Sequence, residues 1–152
     1  MFACGMFMGV LSRLLDIYTQ NLGNVFSKLG IWVLLCSLIS IYSTSCRRAM
    51  INTPLFCIGM IIAYYTVAVL TNGVYGVRYI IFWSAAALCS PVFAWAVRLT
   101  MGRGAASRLI GVGIVILSFM SSIVLDYGIR ADDFIINAVL AYFLLIKRRD
   151  RL

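Results

Sequence analysis

The chain alternates long apolar runs with short polar interruptions. Six runs stand out: Phe2 to Tyr18, Leu29 to Cys46, Ala49 to Leu70, Tyr79 to Leu99, Leu109 to Leu125, and a last one centred on Phe134 to Ile146. A helix rises about 1.5 Å per residue and the hydrocarbon core of a bilayer is about 30 Å thick, so roughly 17 to 25 mostly apolar residues cross it. The pattern predicts an all-α, polytopic transmembrane helix bundle of about six spans. The first and last runs are the weakest, because the first carries Arg13 and Asp16 and the charge-free core of the last is short. The last becomes long enough to span if its helix starts near Ile129 or Asp132.

The interruptions carry turn chemistry. Asn21 to Lys28 is polar, Arg47-Arg48 separates the second and third runs, Thr71-Asn72-Gly73 begins a turn, and Met101-Gly102-Arg103-Gly104 breaks the next pair. Loops this short leave no room for a soluble domain, so residues 1–152 read as a single transmembrane domain. The first run reads as a retained span. A secretory signal would carry early positive charge and an uninterrupted apolar stretch, whereas Met1 to Met8 has no basic residue and Arg13 and Asp16 fall where the stretch should continue.

Composition explains why lipid is the expected solvent. Of 152 residues 63% are hydrophobic and 12% charged, against about 45–50% and about 25% in soluble domains. A soluble fold this small hides only about two-thirds of its unfolded surface, too little to bury so much apolar area. The formal charge of +8 is dispersed in short clusters between apolar runs and forms no basic face with interleaved aromatics, which excludes nucleic acid as a partner.

The charge instead sets an orientation, because short cytoplasmic loops retain Lys and Arg. With both termini cytoplasmic, the inner segments hold Arg47, Arg48, Arg98, Arg103, Arg108, Lys147, Arg148, Arg149 and Arg151, and the outer segments only Lys28, Arg78 and Arg130. Four of the five acids, Asp16, Asp126, Asp132 and Asp133, fall at the outer ends. The inner face is expected to attract anionic lipid headgroups through Arg47, Arg48, Arg148, Arg149 and Arg151, unless these serve only as topology signals.

Catalytic chemistry is sparse. There is no histidine or glutamate, no GxSxG elbow, no HExxH helix and no Walker-type loop, and both lysines flank spans. The expectation is no enzyme, no cofactor and no metal. The five cysteines, Cys4, Cys36, Cys46, Cys57 and Cys89, lie mainly inside apolar runs without a CxxC pair and read as small core residues.

Polar positions within the runs are the candidates, since ionisable groups are expensive in a membrane. Arg13 and Asp16 are three apart on one helix and can pair. Gly5 and Gly9 precede Arg13 at four-residue steps, a small-residue stripe on which another helix packs with the arginine facing it. The alternative is that Arg13 snorkels to the headgroups. Ser118, Ser122 and Asp126 share one face of the fifth span, either as a polar path or as serines bonded to their own i−4 carbonyls. Ser37, Ser40 and Thr44 on the second span are similarly ambiguous. Pro91, after Ser90, kinks the fourth span beside a binding site or as plain structure. Tyr64 and Tyr65 are pocket lining or interfacial anchors.

Gly9-Val10-Leu11-Ser12-Arg13 with Asp16, then Ala49, Asn52, Gly59-Met60 and Tyr64-Tyr65, resembles a family of short bacterial multi-spanning membrane proteins without an established function. The resemblance covers about the first half of the chain and implies a bacterial cytoplasmic membrane and no particular activity. In helix number and termini the chain is also similar to the substrate-binding S subunits of energy-coupling-factor transporters, a likeness of architecture alone. The leading expectation is a non-enzymatic membrane protein that binds or helps move a small solute through a polar site in the outer half of the bundle. That site would be built on Arg13, Asp16 and Asp126, with Asp126 as the second acid on Arg13. The alternative is a structural or regulatory subunit that docks on other membrane proteins through the Gly5/Gly9 stripe or the cationic inner loops.

Overall fold

The computed structural model describes residues 1–19, 28–71, 76–102, 104–125 and 131–146, with backbone only at 124 and 125. Among the described residues there are six α-helices and no strand. They are α1 (Phe2–Tyr18), α2 (Leu29–Tyr42), α3 (Cys46–Leu70), α4 (Val77–Leu99), α5 (Ala105–Leu125) and α6 (Ala131–Ala141), which continues as a π-helical turn over Tyr142–Ile146.

Helix ends follow local chemistry. The second apolar run does not continue to Cys46. It stops at Tyr42, where the Ser43 hydroxyl donates back to the Ile39 carbonyl at 2.8 Å. Ser45 then caps α3 by accepting from the Arg48 amide at 3.2 Å, which moves Cys46, Arg47 and Arg48 into the first turn of α3. Side-chain hydroxyls thus divided what hydropathy alone had joined. Helix α4 runs unbroken through Pro91. Proline removes the N–H that the Ala87 carbonyl would accept, and the Ser90 hydroxyl takes its place at 2.7 Å.

Among the described residues, three helices are long and apolar enough to cross a membrane: α3, α4, and Ala105–Ile123 of α5. Only 39%, 22% and 22% of their most apolar windows are buried inside the protein, so most of that surface faces outward. Ile58, Ile62, Leu88, Trp95, Leu109 and Leu117 are among the large side chains left exposed. Helices α1 and α2, with 17 and 14 residues, and α6 are shorter.

Helix α2 is central, packed against α3, α4, α5 and α6, and α1 packs on α3. One core joins Cys36, Phe56, Cys57, Met60 and Ala87, with Trp32 stacked on Trp83 at 4.4 Å. The other joins Ile41, Val97, Ile114, Leu140 and Leu144. Contacts fix the directions. Phe2 meets Gly59, Gly9 meets Met60, and Arg13 meets Tyr64, so α1 and α3 run parallel. Cys36 meets Cys57 and Ser40 meets Thr53, so α2 and α3 run antiparallel.

A Cβ at Gly5 would collide with the carbonyl of Phe56, and one at Gly9 with that of Met60. Gly59 offers the same close approach from α3, toward Phe2. The Gly5/Gly9 stripe is therefore covered inside the chain. Its reading as a docking surface for another subunit is corrected, because the neighbouring backbone already fills it.

Candidate functional site

Two buried ionic clusters lie at the same end of the bundle, where α1 and α3 finish and α2 and α6 begin. In the first, Arg13 Nη1 donates to Asp16 Oδ2 at 2.6 Å and to the Tyr64 hydroxyl at 3.3 Å. Tyr64 in turn donates to the same carboxylate oxygen at 3.3 Å, and the guanidinium carbon stands 5.4 Å from the Tyr64 ring centroid. A cation at that distance over an aromatic face is attracted by its quadrupole.

Arg13 is 8% exposed. The close fit of the glycine stripe carries its side chain toward α3, where it meets Tyr64. Its Nε is buried with no hydrogen-bond partner among the described residues. Tyr65 is half-buried and packs edge-on against Tyr64, with ring centroids 5.3 Å apart. Asp126, expected as the second acid on Arg13, lies outside the described residues. The third member that the structure supplies is Tyr64.

The second cluster is new. Lys28, immediately before α2, places its ammonium 2.8 Å from both Asp132 Oδ2 and Asp133 Oδ1 in the first turn of α6. Lys28 and Asp133 are 3% and 1% exposed. Burial pulls the ammonium's pKa down, but hydrogen bonds and the charges of Asp132 and Asp133 outweigh it and hold it above the ordinary 10.5. By sequence alone Lys28 reads as a loop cation and the two aspartates as outer charges. The signal that could have joined them was a lone lysine and an Asp-Asp pair opening two helices at one end.

Ser118 and Ser122 are buried but belong with this second cluster, facing Gly30 of α2. Grouping them with Arg13 is corrected, because α5 packs on α2, α4 and α6 while α1 packs on α3. The i−4 alternative holds in part: Ser122 lies 3.4 Å from the Ser118 carbonyl, whereas Ser118 Oγ has no partner among the described residues. On α2, Ser40 donates to the Cys36 carbonyl at 2.7 Å and lies 3.3 Å from Thr53 Oγ1, bracing α2 on α3. Cys36 and Cys57 are buried, with sulfurs 3.5 Å apart, but Cys4 and Cys89 are exposed on outward faces, contrary to their reading as core residues.

At the opposite end, Arg47 and Arg48 are exposed, while Arg98 Nη1 donates to the Ser43 carbonyl at 3.1 Å and ties α4 to the end of α2. Arg148, Arg149 and Arg151 lie outside the described residues. No group of three or more metal-ligating side chains occurs among the described residues.

A model of a family of unknown function, DUF6518, matches residues 1–128. The chain belongs to this family. The DUF6518 match takes in the whole Arg13–Asp16–Tyr64 cluster, and Asp132, Asp133 and α6 fall beyond it. No curated protein and no solved structure matches the chain. A DUF6518 member with three helices of this length and apolarity is compatible with an integral membrane protein.

Proposed function

We propose that this DUF6518 member is a non-enzymatic protein of the bacterial cytoplasmic membrane, with six spans and both termini cytoplasmic. It binds or helps move a small solute through the polar end of the bundle. The observation that carries the reading is Arg13: a buried guanidinium, braced by Asp16 and Tyr64, with its Nε–H donor unpaired among the described residues. A donor left unpaired away from water is unfavourable, and a solute bearing a carboxylate or carbonyl oxygen satisfies it. Asp16 and Tyr64 then fix the direction in which the donor points.

Native mass spectrometry of the full chain, released from membrane in mild detergent, tests this. A co-purifying small molecule is expected on the wild type and lost in Arg13→Leu, with Arg13→Lys intermediate because a point charge lacks the planar fork. Identical spectra for all three, with no adduct, would remove the proposal.

The segregation of charge supports the orientation. Arg47, Arg48 and Arg98 share one end and the Arg13 and Lys28 clusters the other, and cytoplasmic loops keep the cationic excess. Neutralising Arg47, Arg48, Arg103 and Arg108 together is expected to give mixed topologies. A reporter fused after Leu152 should be active only on the cytoplasmic side, and activity confined to the outer side would reverse the assignment. The exposed Arg47 and Arg48 also favour anionic lipid at the inner face, or an acidic partner subunit if the protein is a regulatory component of a larger complex.

A further inference from the structure

Between α2, α5 and α6 lies a set of polar side chains that the Arg13 cluster does not use. Ser118 and Ser122 occupy successive turns of α5 and turn their hydroxyls to α2 at Gly30, where a Cβ would stand 3.7 and 3.9 Å from the two oxygens. Gly30 is two residues beyond Lys28, so the hydroxyls sit beside the helix end that carries the ammonium. Helix α6 approaches at the same level, with Ile136 Cγ2 3.6 Å from that Cβ position. Asp133 holds Lys28, and one turn deeper Asn137 Nδ2 donates to the Asp133 carbonyl at 2.8 Å.

Lys28, Ser118, Ser122, Asp133 and Asn137 are each at most 6% exposed. Two of their atoms, Ser118 Oγ and Asn137 Oδ1, are buried with no hydrogen-bond partner among the described residues. Native proteins rarely leave such atoms unpaired, and these two come from α5 and α6, helices that pack on each other and both approach α2 at Gly30. They point to a guest.

The chemistry of the set selects the guest. One interior carboxylate, one amide oxygen and two hydroxyl oxygens are hard donors, with neither thiol nor imidazole among them, and hard cations take oxygen ligands. With the Lys28 ammonium 2.8 Å from both, the Asp132 and Asp133 carboxylates leave one net negative charge beside these neutral oxygens, which suits a charge of +1. Asp132, with 28% of its side chain exposed, stands at the rim, and Asp133, at 1%, lies within. Asn137 is six residues into α6, about 9 Å along the axis by helical rise. These steps lead inward from the surface. We propose that Asp133, Asn137, Ser118 and Ser122 form a binding site for a monovalent alkali cation, for which the Lys28 ammonium competes at Asp133. The site is independent of the Arg13 reading.

Thermal unfolding of the full chain in neutral detergent, followed by tryptophan fluorescence, tests it with sodium, potassium, lithium or N-methylglucamine chloride at constant ionic strength. One alkali ion is expected to raise Tm saturably over N-methylglucamine, since a ligand that binds only the folded state stabilises it. Ser118→Ala and Asn137→Ala keep the Lys28–Asp133 pair and are expected to raise the half-saturating concentration about tenfold or more, with Arg13→Leu unchanged in this respect. Equal Tm in all four salts would overturn the site and leave the two oxygens to buried water. An alkali response that survives both substitutions would also overturn it, as an effect of salt elsewhere.

Discussion

In N-methylglucamine chloride, where no alkali ion can replace the ammonium, Lys28→Ala is expected to destabilise the bundle by about 3–5 kcal/mol, because removing one partner of a buried ion pair leaves the other charge uncompensated. Asp133, 1% exposed, is the residue that loses its ammonium. The double variant Lys28→Met, Asp133→Leu should recover most of the loss, since Asp132 keeps access to the surface and apolar side chains of similar size replace the buried charges. Denaturant unfolding of the wild type, Lys28→Met, Asp133→Leu and the double variant measures the coupling. A Lys28→Ala loss within about 0.5 kcal/mol, the level of an ordinary surface change, would show that the pair is not buried in the folded protein.

The same pair sets a pH dependence. The folded-state pKa of Lys28 is raised, so its contribution is complete below the ordinary 10.5 and is lost as pH climbs through the higher folded value. Stability should therefore fall more steeply above pH 10.5 in the wild type than in the double variant.

Gly9→Ala should lower stability by about 2 kcal/mol, and Gly9→Leu should detach α1 from α3. Alanine is the better helix former by about 1 kcal/mol, which alone would favour the substitution. Its methyl group, however, meets the Met60 carbonyl, and a backbone atom can yield only if the whole helix moves. Gly113→Ala is the matched control, since nothing lies within 4 Å of a Cβ there. Unfolding midpoints that rank Gly9→Ala at or above Gly113→Ala would contradict this packing. Separation of α1 would also free Arg13 from Tyr64, so the Gly9 variants should lose any solute that Arg13 holds.

The expected solute site was partly legible. Arg13 and Asp16 are three residues apart on one helix, so helical geometry alone brings them within reach. Tyr64 joins them only because the glycine stripe draws α1 onto α3, a contact across 48 residues of sequence separation. Lys28 and Asp133 are separated by 105 residues, and no periodicity connects positions so far apart.

The order of apolar runs and breaks determined, without any tertiary information, that the chain forms helices, and α1 coincides with its run from Phe2 to Tyr18. Hydropathy and spacing are local properties, and backbone hydrogen bonding within an apolar helix needs nothing from elsewhere in the chain. Sequence also placed the family resemblance. The tertiary structure decided where hydroxyls end one helix and cap the next, and which face of α5 meets α2. It also decided which cations are used internally. Arg98 and Arg48 look alike in sequence as inner-loop charges, yet one caps the Ser43 carbonyl and the other faces outward. That difference depends on which backbone comes within 3.1 Å, and only the packing of α4 beside α2 sets it.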